Sequence, residues 1–195
     1  MTITSNGLSM REVGCCRISI TGTPGCGKSS LAQHAIASKT KYELAQVIEL
    51  AEKYGCIDEM DDSDEARPID IDFLSQQLEE KWNQKPSCIT FIDGHLSHLL
   101  PVDAIVILRC NPEILTQRNR ERGWSESKIK ENEEWELLGG PWNENDEWKG
   151  VPCLELNSTA QSVGALFEEI EYWIRDGFKP EGPEEQIDWV SVLHG

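Results

Sequence analysis

No run of apolar residues approaches the roughly 18 that a membrane-spanning helix requires, so a spanning segment is not expected. The first fourteen residues, MTITSNGLSMREVG, lack the apolar stretch of a signal peptide; they read as a loose N-terminal lead on a cytoplasmic chain. There is no C-x-x-C pair. Cys15 and Cys16 are adjacent and the other five cysteines stand singly at 26, 56, 88, 110 and 153, which excludes a zinc-finger pattern and suits reduced thiols. Basic residues are scarce, 18 Lys and Arg against 35 Asp and Glu, giving a net charge of −17. Such a surface repels phosphate backbones, so non-specific nucleic-acid binding is not expected. It suits a basic protein partner, and solubility or a salty cytoplasm would explain it equally well. No internal repeat or low-complexity block is present. What remains is 195 residues, 38% hydrophobic and 27% charged, enough for one domain with a substantial core.

The first apolar run, Arg17-Ile18-Ser19-Ile20-Thr21, stops at Gly22 and reads as a buried strand entering a glycine loop. Leu31, Ala32, Ala35 and Ile36 then recur at helical spacing across 28–38. Leu44, Val47, Ile48, Leu50 and Ala51 predict a further helix ended by Gly55, followed by the acidic run 58–65, read as a solvated loop. Phe73, Leu74, Leu78 and Trp82 mark another helix. Strands are predicted at 87–93 and 104–108, a helix from Pro112 to about Glu121, and a charged helix from about 126 to 138 that Gly139-Gly140-Pro141 breaks. Residues 141–150 show no regular period. A last strand near 153–156 and an amphipathic helix over 163–174 precede an acidic tail, 176–195, expected to be extended. Strands alternating with helices imply a parallel sheet covered on both faces. The fold class is therefore α/β, with a single domain expected over 1–195, an insertion at 45–67 and a lid at 121–131.

The strongest chemical signal is G-x-x-x-x-G-K-S at 22–29. The turn Gly25-Cys26-Gly27, backed by a helix N-terminus, supplies backbone N–H groups for a phosphate cradle that grips ATP. Lys28 can reach the β- and γ-phosphates, Ser29 can ligate Mg²⁺, and Ser30 can add a phosphate contact. Asp93 closes an apolar strand where a carboxylate faces the metal; a turn-forming Asp before Gly94 is the alternative. His95 is a candidate for orienting a water or phosphate group, or a structural histidine. Arg118 and Arg122 fall four apart on one helical face, placed to stabilise transferring charge as a lid closes, while Arg120 points elsewhere. An exposed basic helix end would explain Arg120 well and Arg122 poorly.

Gly22–Ser30, Asp93-Gly94-His95-Leu96-Ser97-His98-Leu99-Leu100-Pro101 and Arg118-x-x-x-Arg122-Gly123-Trp124-Ser125-Glu126 closely resemble the adenylate kinase isoenzyme 6 family, adenylate kinase–ATPases linked to maturation of the small ribosomal subunit. The resemblance covers about 15–132. It implies the three-layer α/β fold of a P-loop NTPase of the nucleoside-monophosphate-kinase kind, with a central parallel sheet, ATP contacts at Gly25, Gly27, Lys28, Ser29, Ser30 and Arg122, an acceptor segment near 45–68, AMP as acceptor, Mg²⁺ as the metal, and a small-subunit ribosomal protein as partner. Arg67, in Asp64-Glu65-Ala66-Arg67, and Lys53 are its candidates for the acceptor phosphate; a surface ion pair would explain each equally. After Asn132 the sequence departs from the family, with Trp135-Glu136-Leu137-Leu138-Gly139-Gly140-Pro141-Trp142 where a continuous helix is expected. Transfer from ATP to AMP, an ATP-driven assembly factor, and a kinase for another small acceptor all remain open.

Overall fold

The computed structural model describes residues 14–38, 41–57 and 68–195. Five strands, β1 (Arg17–Gly22), β2 (Tyr42–Gln46), β3 (Ile89–Asp93), β4 (Ala104–Arg109) and β5 (Cys153–Asn157), form one sheet in the order β2-β3-β1-β4-β5, every pairing parallel. The helices are α1 (Lys28–Ser38), α2 (Val47–Tyr54), α3 (Ile71–Lys81), α4 (Pro112–Glu121), α5 (Glu126–Leu137), α6 (Val163–Arg175) and α7 (Trp189–His194), with 3₁₀ turns at Ser97–Leu99 and Gly140–Glu144. This is the three-layer α/β fold of P-loop NTPases of the nucleotide-kinase type.

Successive side chains of a strand face opposite sides of the sheet, and β1 uses this to separate core from site. Ile18 and Ile20 join Leu31, Ala32 and Ala35 of α1 and Leu166, Phe167 and Ile170 of α6 in the main core. The alternate residues, Ser19 and Thr21, are as fully buried but meet polar partners. Ser19 Oγ lies 2.6 Å from Ser97 Oγ, and Thr21 Oγ1 lies 2.7 Å from His98 Nδ1. Buried hydroxyls are tolerated only when bonded, so these pairs tie the loop after β3 to the central strand. On that side of the sheet, Ile92 packs with Val47 and Ala51 of α2 and Leu74 and Leu78 of α3. Capping follows the sequence: Asp70 accepts from Phe73 N, Asn111 from Glu113 N, Ser125 from Lys128 N and Ser162 from Ala165 N.

Two expected elements are corrected. The helix expected from Leu44 begins only at Val47; Tyr42–Gln46 is an edge strand, with Leu44 packed against the main core and Ala45 against the opposite one. Tyr42 anchors it, its hydroxyl donating to Glu171 at 3.1 Å and its ring edge-on to Phe91 and Phe167. The tail is not extended throughout, because Asp188 caps a short helix by accepting from Ser191 N, and Trp189 is 3% exposed. The unpatterned stretch after Gly139 is also ordered, with Trp142 and Trp148 in ring contact at 5.2 Å and Glu144 bonded to His98 at 2.8 Å.

Candidate active site

Three strands deliver their carboxyl ends to one edge of the sheet, where α/β proteins place their ligands. β1 ends at Gly22 and the chain turns through Thr23–Gly27 into α1. Gly25 has φ of +103°, and a Cβ there would stand 2.3 Å from Asn119 Oδ1 and 2.9 Å from Leu115 Cδ1. The loop thus lies directly on α4, and Asn119 Nδ2 donates to the carbonyl of Pro24 at 3.3 Å. Gly27, φ +105°, faces open space; its requirement is the left-handed backbone alone. The first turn of α1 carries no acidic side chain, and Ser29 and Ser30 within it are exposed. Open amides at a helix start, with no competing carboxylate, suit an anion.

Lys28 is 8% exposed, and its Nζ donates to Gly22 O at 2.8 Å and Thr23 O at 3.1 Å. The ammonium is therefore held across the loop it serves. Cys26 contributes backbone: its carbonyl accepts from Ser158 Oγ at 2.7 Å, and burial pushes its thiol pKa up, leaving it inert.

Asp93 ends β3 in register with Ile20 of β1 and Gln46 of β2. It is 7% exposed, and its Oδ1 is buried with no hydrogen-bond partner. An orphaned buried carboxylate oxygen is costly unless a ligand supplies the missing contact. Together with the exposed Ser29 hydroxyl it gives the oxygen donors a hard divalent cation takes, so the residues present fit Mg²⁺. Asp93→Asn is expected to lower metal-dependent turnover about 10²-fold while leaving the metal-free melting temperature equal to or above that of the wild type, since a charge is removed from a buried site. Turnover titrated with Mg²⁺, beside thermal melts without it, checks both halves.

His95 and His98 occupy different positions. The His95 backbone carbonyl accepts from Thr21 Oγ1 at 2.9 Å, and the residue reaches the surface while its ring borders the protein walls. Loss of hydration among the surrounding walls, then the charges of Lys28, His98 and Lys128, push its pKa down to about 4. His98 is buried between Thr21 and Glu144; burial lowers its pKa, and the Glu144 carboxylate opposes that shift. Its place is in the scaffold.

The three arginines separate. The Arg118 fork is taken up by carbonyls, its Nη2 donating to Ser158 O and Thr159 O at 3.2 Å each, so it braces the β5–α6 loop. Arg120 is exposed and pairs with Glu126 at 3.3 Å. Arg122, the C-cap of α4, is exposed with its guanidinium 5.9 Å over the Trp124 ring, and it holds no ion pair among the described residues. The expected lid at 121–131 is thus the end of α4, a turn at Gly123 (φ +76°) and the first half of α5. Lys53 lies on α2 with its Nζ 5.3 Å over the Tyr54 ring. Arg67 and the acidic run 58–65 lie outside the described residues.

The model of the AAA domain family matches residues 18–139, from β1 through α5. A protein named "Putative adenylate kinase" from Archaeoglobus fulgidus is 38% identical over 182 residues, covering 90% of this chain and 93% of its own. Another of that name from Pyrococcus abyssi is 39% identical over 176 residues, covering 90% of this chain and 92% of its own. This chain belongs to their family. The solved structure of a gluconokinase from Sinorhizobium meliloti 1021, at 17% identity and a TM-score of 0.50, covers 84% of this chain and 93% of its own, and it shares the fold. In this family member, four residues around the loop carry no motif of their own: Thr23, Arg109, Asn119 and Glu136. Glu136 stands in a helix with four other glutamates, and nothing in that run marks which one is wholly buried.

Proposed function

We propose that this chain is an adenylate kinase-type phosphotransferase that moves the γ-phosphoryl group of ATP to AMP, giving two ADP. The observation that carries this reading is the juxtaposition of the Lys28 loop with the unpartnered Asp93 oxygen one strand away. The name borne by relatives 38–39% identical to this chain supports it. An oxygen of the AMP phosphate bonds to the γ-phosphorus as the bond to the β–γ bridging oxygen breaks. The attacking oxygen is already ionised, so the site needs positioning and positive charge rather than a base. Gly25, Cys26 and Gly27 offer amides, Lys28 meets the β- and γ-oxygens, Ser30 adds a hydroxyl, and Arg122 reaches the transferring group as the lid closes. Mg²⁺, when bound, neutralises charge on the β- and γ-oxygens, and Ser29 and Asp93 would hold it. On this reading the single domain uses 45–67 as its acceptor segment, with Arg67 and Lys53 as the candidates for the AMP phosphate, and 121–131 as its lid. Assaying the purified protein with ATP plus each nucleoside monophosphate, against ATP alone, tests the reading; transfer to AMP supports it, and hydrolysis indifferent to every acceptor refutes it.

A second reading rests on Asp93-Gly94-His95 and the net charge of −17. It holds that, as in the isoenzyme 6 branch of adenylate kinases, slow ATP hydrolysis modulates the grip on a basic small-subunit ribosomal protein in the cytoplasm. His95 discriminates, because only hydrolysis needs an oriented water. His95→Ala is expected to cut hydrolysis without AMP about tenfold and transfer to AMP by less than about threefold. A depressed pKa means that the imidazole carries charge only below about 4 and is neutral above it. The hydrolysis profile should therefore show no His95 inflection between about pH 6 and 8, where an ordinary histidine titrates. Equal losses in both reactions would make His95 structural.

A further inference from the structure

Beneath the phosphate loop lies a sealed cluster of charge. Arg109, the last residue of β4, and Glu136, in the last turn of α5, are both 0% exposed, and Glu155 of β5 is 2% exposed. Arg109 Nε donates to Glu136 Oε1 at 2.7 Å, its Nη2 to Glu136 O at 2.8 Å and its Nη1 to Glu155 Oε1 at 3.0 Å. Two carboxylates thus share one guanidinium, and the excess negative charge is met by neutral donors. Glu136 Oε1 accepts from Cys110 N at 3.1 Å and from Trp189 Nε1 at 2.9 Å, and Glu155 Oε2 accepts from Ile187 N at 2.8 Å. The other Glu136 oxygen, Oε2, accepts from the hydroxyl of Thr23, inside the phosphate loop. The backbone at Gly140 covers that bond; a Cβ there would lie 3.5 Å from both Thr23 Oγ1 and Glu136 Oε2.

We propose that Glu136 is a positioning residue for the phosphate loop, and that residues 187–189, through Trp189, belong to the ATP-binding machinery. The inference rests on ATP being the ligand of that loop. Thr23 is the residue whose carbonyl accepts both Cys26 N, at 3.1 Å, and Lys28 Nζ, at 3.1 Å. Anchoring its side chain to a carboxylate that cannot move fixes that carbonyl, and with it the turn, before ATP arrives. A loop held in its binding shape loses less freedom on binding, which raises affinity. Removing the Trp189 donor leaves Glu136 under-neutralised in a fully buried site, where unmet charge is costly. Because α5 begins in the lid segment and ends at this anchor, lid movement would pivot about Glu136.

The experiment is equilibrium binding of MgATP to the full chain, read by calorimetry, for wild type, Trp189→Phe, Thr23→Val, Thr23→Ser and the Thr23→Val/Trp189→Phe double variant. Trp189→Phe and Thr23→Val should each weaken ATP binding about tenfold, the scale of one lost charge-assisted hydrogen bond. Thr23→Ser, which keeps the hydroxyl, should stay within about twofold of wild type. Acting through one carboxylate, the two losses should fail to add. Coupling is reciprocal, so ATP should slow hydrogen exchange across 184–192 in the wild type, a measurement that stands even if Trp189→Phe does not fold. Unchanged ATP affinity beside a lowered melting temperature, additive losses, or exchange indifferent to ATP would each overturn the proposal. ATP binding without transfer to AMP would sink the kinase reading alone; failure of the wild type to bind ATP would sink both.

Discussion

Lys28→Ala is expected to reduce ATP-dependent phosphoryl transfer about 10³-fold, a loss comparable to removing a preorganised charge from a transition state, while the chain stays folded. The ammonium rests against two neutral carbonyls, Gly22 O and Thr23 O. Phosphate oxygens are stronger partners than carbonyls, because they carry formal negative charge and add a Coulombic attraction to the ammonium that neutral carbonyls lack. Lys28 can therefore exchange its resting contacts for the β- and γ-oxygens at a net gain. No other lysine occupies the turn. Removing it strips the positive charge from the place where the leaving oxygens gather negative charge, and Ser29, Ser30 and the loop amides cannot replace a full charge. The structural cost is small by comparison. Thr23 O keeps its bond from Cys26 N, and losing two hydrogen bonds donated by an ammonium, offset by removing a buried charge, lowers stability by about 1–3 kcal/mol, a shift of a few degrees in melting temperature for a chain of this size. Steady-state kinetics with ATP and AMP, beside a thermal melt, measure both. Turnover within about tenfold of wild type would remove Lys28 from the chemistry.

Much of this site was legible because its information is local. Gly22–Ser30 contains its own strand end, turn glycines and helix start within nine consecutive residues, and Asp93 is marked by the apolar run that ends on it. The fold class followed from strands and helices whose periods are readable one at a time. What escaped depends on partners distant in the chain. Tyr42–Gln46 has too few residues and too many polar ones to announce a strand; it is held by pairing with β3 and by Tyr42 reaching Glu171, 129 residues away. The tail looked extended from its acidic and proline content, yet Trp189 finds Glu136, 53 residues earlier. Arg109 is one basic residue at the end of an apolar strand, and no spacing reveals that two carboxylates from other elements converge on it. The departure after Asn132 left the role of residues 133–150 open, although a helix to about 138 was expected, and the structure uses that stretch to seal the loop's underside through Glu136 and Gly140 and to clamp His98 through Glu144. A helical period also could not distinguish Arg118, occupied by the carbonyls of Ser158 and Thr159, from Arg122, which is not.

That distinction sets the second large effect. Arg122→Ala is expected to lower kcat for transfer to AMP about 10³-fold, in the range of arginines that stabilise a transferring phosphoryl group, with the KM for ATP changing far less. The argument begins with position. α4 is fixed to the core by Leu115, Thr116 and Asn119, all buried, and Asn119 touches the phosphate loop through Pro24. Arg122 is the C-cap of that fixed element. Gly123, at φ +76°, follows it and turns the chain toward α5. The guanidinium therefore sits at the junction between a rigid wall and the segment expected to close, exposed and in no ion pair among the described residues. A contact completed only on closure stabilises the transition state more than the bound ground state, so the loss falls on kcat. Arg122→Lys should not rescue, because an ammonium cannot present two parallel N–H groups to phosphoryl oxygens. Arg120→Ala should change kcat by less than about threefold, since that side chain points to solvent and pairs with Glu126 on the surface. Steady-state kinetics on the three variants decide the matter. A severe loss for Arg120→Ala beside a mild one for Arg122→Ala would mean that lid closure brings the opposite side of the α4 terminus to the phosphates.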